Sequence, residues 1–420
     1  MSAPGRPLAA YAAVTAAYWA FMLTDGALRM LVLLHFHVLG FSPVQLAYLF
    51  LLYEIAGMVT NLCAGWLAAR FGLTATLYAG LALQIAALGA LSQVDAGWTL
   101  ALSVAFVMAV QGVSGVAKDL AKMSAKSAVK LLAPAEGGGL FRWVAALTGS
   151  KNAVKGLGFL LGAALLAGVG FQAAVLAMAA ALGLVLAAVA LFMPAGLPRG
   201  RRGAKFAEVF SKDREVNLLS AARLFLFGAR DVWFVVGIPI YFHAVLSDGT
   251  EAGDRAAFFQ VGTFMAVWII GYGAVQGFAP RILRARDKTL GETVGLARLW
   301  AGLLALIPLA LAAAAWAAGA PADWLTATLV AGLLVFGAVF ALNSSLHSYL
   351  ILALSPVERV TMDVGFYYMA NAAGRLLGTL LSGLAYQAGG LPLCLAVSGL
   401  TAAASWGCAG LMDRGQGARA

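Results

Sequence analysis

The chain has 420 residues, of which 62% are hydrophobic and only 11% charged, with a mean hydropathy of +0.89 and a net charge of +10. That balance excludes a soluble domain and points to an all-α integral membrane protein. The basic surplus does not require a nucleic-acid partner, because most of it falls in short polar breaks on one side of the predicted membrane, where topology accounts for it.

A helix that crosses roughly 30 Å of hydrocarbon needs about 20 apolar residues. Runs of that length recur down the whole sequence, and the alternating short strands of a barrel are absent. In chain order the spans are predicted at Tyr11 to Val38, Val44 to Ala69, Ala75 to Leu91, Trp98 to Ala117, Leu140 to Val169 and Gln172 to Met193. They continue at Asn217 to Val245, Ala256 to Ala279, Thr293 to Ala318, Trp324 to Leu354, Val364 to Ala388 and Pro392 to Met412. Twelve transmembrane helices result. Odd-to-even breaks carry almost no Lys or Arg, Arg255 excepted. Even-to-odd breaks hold Arg70, the run Lys122, Lys126 and Lys130, then Arg199, Arg201, Arg202 and Lys205, and later Arg281, Arg284, Arg286 and Lys288. Both termini are therefore expected in the cytoplasm. The first stretch is full length and lacks a small-residue cleavage pattern, so no cleavable leader is expected.

The longest hydrophilic break, LPRGRRGAKFAEVFSKDREVN, divides the chain into residues 1–195, a basic linker 196–216 and residues 217–420, with six predicted helices on either side. The halves read as copies. His37 and His243 are 206 positions apart (243 − 37), as are Asp25 and Asp231, and the same offset carries Glu54 onto Gln260. An Asn-Ala pair begins at Asn152 and again at Asn371, each followed by a cation, Lys155 and Arg375. Together these matches indicate a duplicated six-helix unit.

That plan resembles the major facilitator superfamily along the whole chain. The superfamily's loop signature between the second and third spans stands here as Gly65-Trp66-Leu67-Ala68-Ala69-Arg70-Phe71-Gly72-Leu73-Thr74, with Ala69 in place of an Asp and Leu73 and Thr74 in place of trailing basics. The resemblance implies two pseudo-symmetric six-helix bundles, with spans one, four, seven and ten lining a central cavity and spans two, five, eight and eleven flanking it.

At about 1.5 Å rise per residue, Asp25, Asp231, Glu54, Lys155 and Arg375 all fall near the membrane midplane. A charge there costs roughly 2.5 to 3.5 kcal/mol on insertion scales, so each needs a reason. One reason is structural: Asp25 and Arg29 lie four residues apart and can neutralise each other, whereas Arg230 and Asp231 are adjacent, point apart and need partners elsewhere. The other is functional. Arg29, Lys151, Lys155, Arg223, Arg230 and Arg375 outnumber the acids Asp25, Glu54 and Asp231, and a buried cationic surplus suits an anionic substrate. The acids are candidates for charge pairing or proton coupling. Lys118 and Lys122 open a stripe with Lys126 and Lys130 that reads either as a funnel for anions or as a headgroup contact. His35, His37 and His243 near the span ends read as interfacial or packing residues whose spacing also permits proton sensing, and Tyr53, Tyr367 and Tyr368 as helix packing or hydroxyl contacts to substrate. Cys63, Cys394 and Cys408 are scattered with no CxxC spacing, so neither disulfide nor metal is expected. No P-loop or nucleophile elbow occurs, so the sequence suggests neither ATP-driven pumping nor an enzyme, and no cofactor.

Within the superfamily, the stretches TDGALRMLVLLHFH, GVAKDLAKMSAKSAVKL and LTGSKNAVKGLGF resemble the ArsJ-type organoarsenical efflux permeases of bacterial arsenic-resistance operons. The resemblance implies a bacterial inner-membrane protein that exports 1-arseno-3-phosphoglycerate by alternating access and so confers arsenate resistance. Its functional companion would be a glyceraldehyde-3-phosphate dehydrogenase that accepts arsenate. A proton-coupled exporter of drugs or sugars, an organophosphate/phosphate exchanger and a non-transporting membrane sensor remain as other readings of the same residues.

Overall fold

A computed structural model describes residues 6–95, 97–132, 139–193, 211–283, 288–355 and 360–412. The described chain is helical, with α1 (Arg6–Val38), α2 (Pro43–Leu49), α3 (Leu51–Phe71), α4 (Leu73–Leu91), α5 (Leu100–Leu132) and α6 (Gly139–Phe192) before the linker. After it come α7 (Arg214–Val232), a π-helical turn (Trp233–Gly237), α8 (Ile238–Leu246), α9 (Glu251–Ile282), α10 (Leu290–Ala318), α11 (Asp323–Leu354) and α12 (Val360–Gly410). No strand occurs among the described residues.

Ten of these helical stretches are long and apolar enough to cross a membrane. Two of the ten, of 44 and 46 residues, are too long for one crossing, since at 1.5 Å per residue each would extend about 65 Å or more. Each is broken at glycine: Gly170 has φ +77° and Gly390 φ +61°, conformations that side chains with a Cβ disfavour. The chain reverses there. Before Gly170, Trp19 of α1 donates to Ser150; at the break Phe171 stacks on His35, and beyond it Gln172 donates to the Val94 carbonyl and Tyr78 to that of Val189, so the second segment runs back along α4. In α12, Gly378 packs on Gly228 before the break, and Ser398 and Ser405 donate to the carbonyls of Ala229 and Ala222 after it.

Several predicted boundaries move. The second span is interrupted at Phe50: Ser42 and Gln45 form a capping box that starts α2, and Pro43 occupies its first turn. The predicted seventh span bends through one π turn. Pro239 has no N–H and its ring crowds the preceding turn, and the Ser382 hydroxyl accepts from the freed Val236 and Gly237 amides at 3.2 Å each. The fourth helix does not stop at Ala117 but continues to Leu132, so the lysine run belongs to a helix rather than to a break. Linker residues 196–210, the side chains of Lys126 and Lys130, and those of the loop signature from Gly65 to Arg70 lie outside the description; Gly72, with φ +84°, starts α4.

The repeat is visible in packing. Gly158 and Gly162 of α6 seat against Leu23, Gly26 and Ala27 of α1, where any Cβ would run into backbone; Gly374 and Gly378 of α12 meet Leu224 and Gly228 of α7 in the same way. Across the halves, Gly262 faces Ala163 and Gly383 faces Ala47. This register corrects one sequence match: Glu54 corresponds in place to Ile269, not to Gln260, which is exposed. Apolar clusters close the end of the bundle away from the termini, where Leu31, Phe36 and Phe171 pack with Val235, Val236 and Ile240, and the rings of His37 and His243 meet at 5.1 Å. Large apolar side chains such as Leu184, Leu191, Phe192, Leu306 and Trp316 are exposed on the outer surface, as hydrocarbon contact requires.

Candidate functional site: a cationic cavity between the halves

Below that closed end lies a cavity of about 210 Å³. Eight cations line it: Arg29, Lys118, Lys122, Lys151 and Lys155 from the first half, and Arg223, Arg230 and Arg375 from the second. The six cations singled out as substrate residues, and Lys118 and Lys122 of the stripe, are therefore on one wall or another of one cavity. A second cavity, of about 600 Å³, lies at the far end beside His35, Trp98 and Phe171; Asp95 is its one charged lining residue.

The pairing differs from what spacing along the chain suggests. Asp25 and Arg29 do not neutralise each other. Asp25 accepts from Lys155 Nζ at 2.7 Å and from the Tyr53 hydroxyl at 2.5 Å, so Tyr53 is more than a packing residue. Arg29 instead reaches α3, where its Nη2 lies 2.8 Å from Glu54 Oε1. The same oxygen accepts from Arg375 Nη2 at 2.5 Å, so one buried carboxylate ties a cation of its own half to one of the other. Arg230 and Asp231 do not point apart: the guanidinium folds back onto its neighbour, Nε to Oδ1 at 2.6 Å. Arg375 Nε approaches Asp231 Oδ2 at 3.5 Å, an ionic contact without an aligned hydrogen bond. Lys155–Asp25 and Arg375–Asp231 are thus the two copies of one contact, a fifth-span cation on a first-span acid.

Sequence reasoning passed over Asp119. It is fully buried, pairs with Lys122 and receives the Asn61 amide at 3.3 Å, while Lys122 also donates to Asn61 Oδ1 at 2.6 Å. A carboxylate inside a basic run looks like a solvated surface residue when the helix is thought to have ended. Arg223 was foreseen but its setting was not. Its Nε donates to Asn371 at 2.8 Å, its Nη1 to the carbonyl and hydroxyl of Ser344, and its guanidinium lies 4.1 Å from the Phe227 ring centre and 5.0 Å from that of Tyr367. Asn371 belongs to the repeated Asn-Ala signal; its copy Asn152 donates across the halves to Gln276.

Eight lining cations outnumber the four carboxylates Asp25, Glu54, Asp119 and Asp231 that lie among them. Such a site binds oxyanions, arginine as a planar fork and lysine as a point charge. No group of three or more metal-ligating side chains occurs among the described residues.

The helical arrangement around this cavity is similar to that of solved transporter structures. A POT family transporter in complex with 5-aminolevulinic acid superposes with a TM-score of 0.71 at 14% identity, covering 94% of each chain. A POT family transporter in complex with a thioalcohol conjugated peptide gives 0.70, again at 14% identity and 94% of each chain. A structure from work on substrate recognition in proton dependent oligopeptide transporters gives 0.68 at 14% identity, with 95% of this chain and 96% of that one covered. Identity this low establishes a shared fold and nothing about cargo. No family profile matches the sequence, and no curated protein matches it at a significant level.

Proposed function

We propose that the protein is a secondary transporter that carries a small organic anion across the bacterial inner membrane by alternating access. In this reading the two reversed helices each cross twice, which makes twelve crossings in two six-helix bundles, residues 1–195 and 217–420, joined by a basic cytoplasmic linker. The observation that carries it is the single cavity lined by cations from both halves. The acids hold the unloaded cations in place, substrate oxygens compete for them, and rocking of the halves about the midplane exposes the site to either side in turn.

The cargo that fits best is an anion with oxyanions at both ends, and the resemblance of the first, fourth and fifth spans to the ArsJ type names one: 1-arseno-3-phosphoglycerate, made by a dehydrogenase acting on arsenate. Its arsenate and phosphate ends would engage the two cationic walls. Thiol capture of trivalent arsenic has no support, since Cys394 is buried against the Val232 carbonyl and Cys408 lies more than three turns on. Export of an anion from a cell that is negative inside is favoured by about 2.3 kcal/mol per charge per 100 mV, so no coupled ion is required. The POT family neighbours bind a peptide conjugate and 5-aminolevulinic acid, and the Asp25–Tyr53–Lys155 cluster favours a second reading, proton-coupled export of an organic solute.

Flux into everted vesicles separates these readings. With the arsenylated triose phosphate generated in place, the proposal expects uptake that arsenate or arsenite alone does not give. Equal transport of uncharged solutes, or flux only under a proton gradient with neutral cargo, contradicts it.

A further inference from the structure

The eight lining cations are not equivalent. Lys122, Lys155, Arg29, Arg230 and Arg375 each form an ion pair within 4 Å with a carboxylate. Lys118 and Arg223 form none among the described residues, although both are buried, at 7% and 5% exposure. Lys118 is held instead by the face of the Tyr53 ring, 4.2 Å from its centre, with the bare backbone of Gly57 beside it. Arg223 is held by the neutral acceptors Asn371 and Ser344 and by two rings, an arrangement that leaves its second terminal nitrogen without a protein acceptor. One of the two is on α5 and the other on α7, so each half contributes to the same cavity one buried cation with no carboxylate within 4 Å, although Lys118 lies in the field of Asp119 and Glu54 beyond that distance. An unpaired charge in that setting is costly, and an arriving oxyanion removes the cost.

We infer that Lys118 and Arg223 are the two anchors of the cargo, one for each end of a molecule carrying two separated oxyanion groups, and that the paired cations form the electrostatic scaffold around them. This rests on the reading of the cavity as an anion site. It assigns Lys118 a binding role rather than a place in a funnel. It favours a cargo with two oxyanion groups: a single oxyanion engages one of the two cations and leaves the other without one.

The test uses the purified full-length protein in detergent, with thermal unfolding followed against added 3-phosphoglycerate, glycerate or inorganic phosphate. The wild type should be stabilised most by 3-phosphoglycerate, the probe with two charged ends. Lys118→Met and Arg223→Gln should each weaken its affinity roughly tenfold or more, the worth of a hydrogen bond to a charged group, without lowering the unfolding midpoint of the free protein. Arg223→Lys should restore part of the affinity. Lys155→Met, which strips Asp25 of its cation, should lower the midpoint of the free protein. If 3-phosphoglycerate stabilises the wild type and the Lys118→Met and Arg223→Gln variants alike, the anchors are misassigned while the anion site stands. If none of the three probes stabilises the wild type, the anion-carrier reading itself falls, and this assignment with it.

Discussion

Asp25 and Asp231 occupy equivalent places, each on the first long helix of its half and each facing a cation from the helix that packs on it through a glycine seam, yet their surroundings differ. In the N-terminal half, Asp25 holds a lysine and a tyrosine hydroxyl, and Glu54 and Asp119 supply two more carboxylates nearby. In the C-terminal half Asp231 is the acid of the site, and aromatic faces take the place of further acids. Arg230 lies 4.9 Å from the Phe227 ring centre, 5.6 Å from that of Phe340 and 5.8 Å from that of Phe234, and Arg223 shares Phe227. Arginine is weakly hydrated and stacks on rings, so the two arginines Arg223 and Arg230 suit an aromatic wall with few acids. The lesson is that a repeated helical pattern can keep one ion pair in both copies while the surroundings of that pair diverge.

This contrast can be broken at its seam. Glu54→Gln should have the largest effect, because it frees Arg29 and Arg375 together; a loss of about 3–5 kcal/mol in unfolding free energy is expected, measured in detergent, with partial recovery on adding an anion. A change within about 0.5 kcal/mol would show that the bridge between halves contributes nothing. Next, Asp25→Asn should cost about 3 kcal/mol since Lys155 is left bare, while Asp231→Asn costs about 1–2 kcal/mol because Arg375 keeps Glu54 and Arg230, stripped of its carboxylate, keeps the faces of Phe227, Phe234 and Phe340. Equal losses would remove the asymmetry. Gly162→Ala and Gly374→Ala should each cost about 1–3 kcal/mol by forcing apart the helices that position these pairs, and a matched drop in both would confirm that the two seams are equivalent. Smallest, Phe227→Leu should cost about 1 kcal/mol and leave the N-terminal pairs unchanged, read from unfolding midpoints combined with Asp25→Asn, where the two effects should add.

Much of this was legible before the fold. Mid-span charge is expensive, so Asp25, Glu54, Asp231, Lys155 and Arg375 stood out, and the matched offset of Asp25 and Asp231 announced the repeat. Who pairs with whom was not legible. Asp25 and Arg29 have the spacing of a helical ion pair, but α6 approaches α1 so closely at Gly158 that the short Asp25 meets Lys155 first, and the longer Arg29 extends to Glu54. Arg230 and Asp231 show the reverse: adjacent residues diverge at Cβ, but a long guanidinium can curl back over its own backbone. The end of α5 was misplaced because hydropathy falls where the helix leaves the apolar layer, and helix geometry does not stop there; with it went Asp119. The match of Glu54 to Gln260 failed because the second helix of each half keeps a different offset from the first.

The central claim, that cations from both halves act on one anionic cargo, is tested most directly by charge movement across a supported membrane bearing the reconstituted protein. On addition of 3-phosphoglycerate the account expects a saturable displacement of negative charge that Arg223→Gln moves to roughly tenfold higher concentration or beyond. No signal with this probe, together with a robust one from a neutral dipeptide, would contradict it.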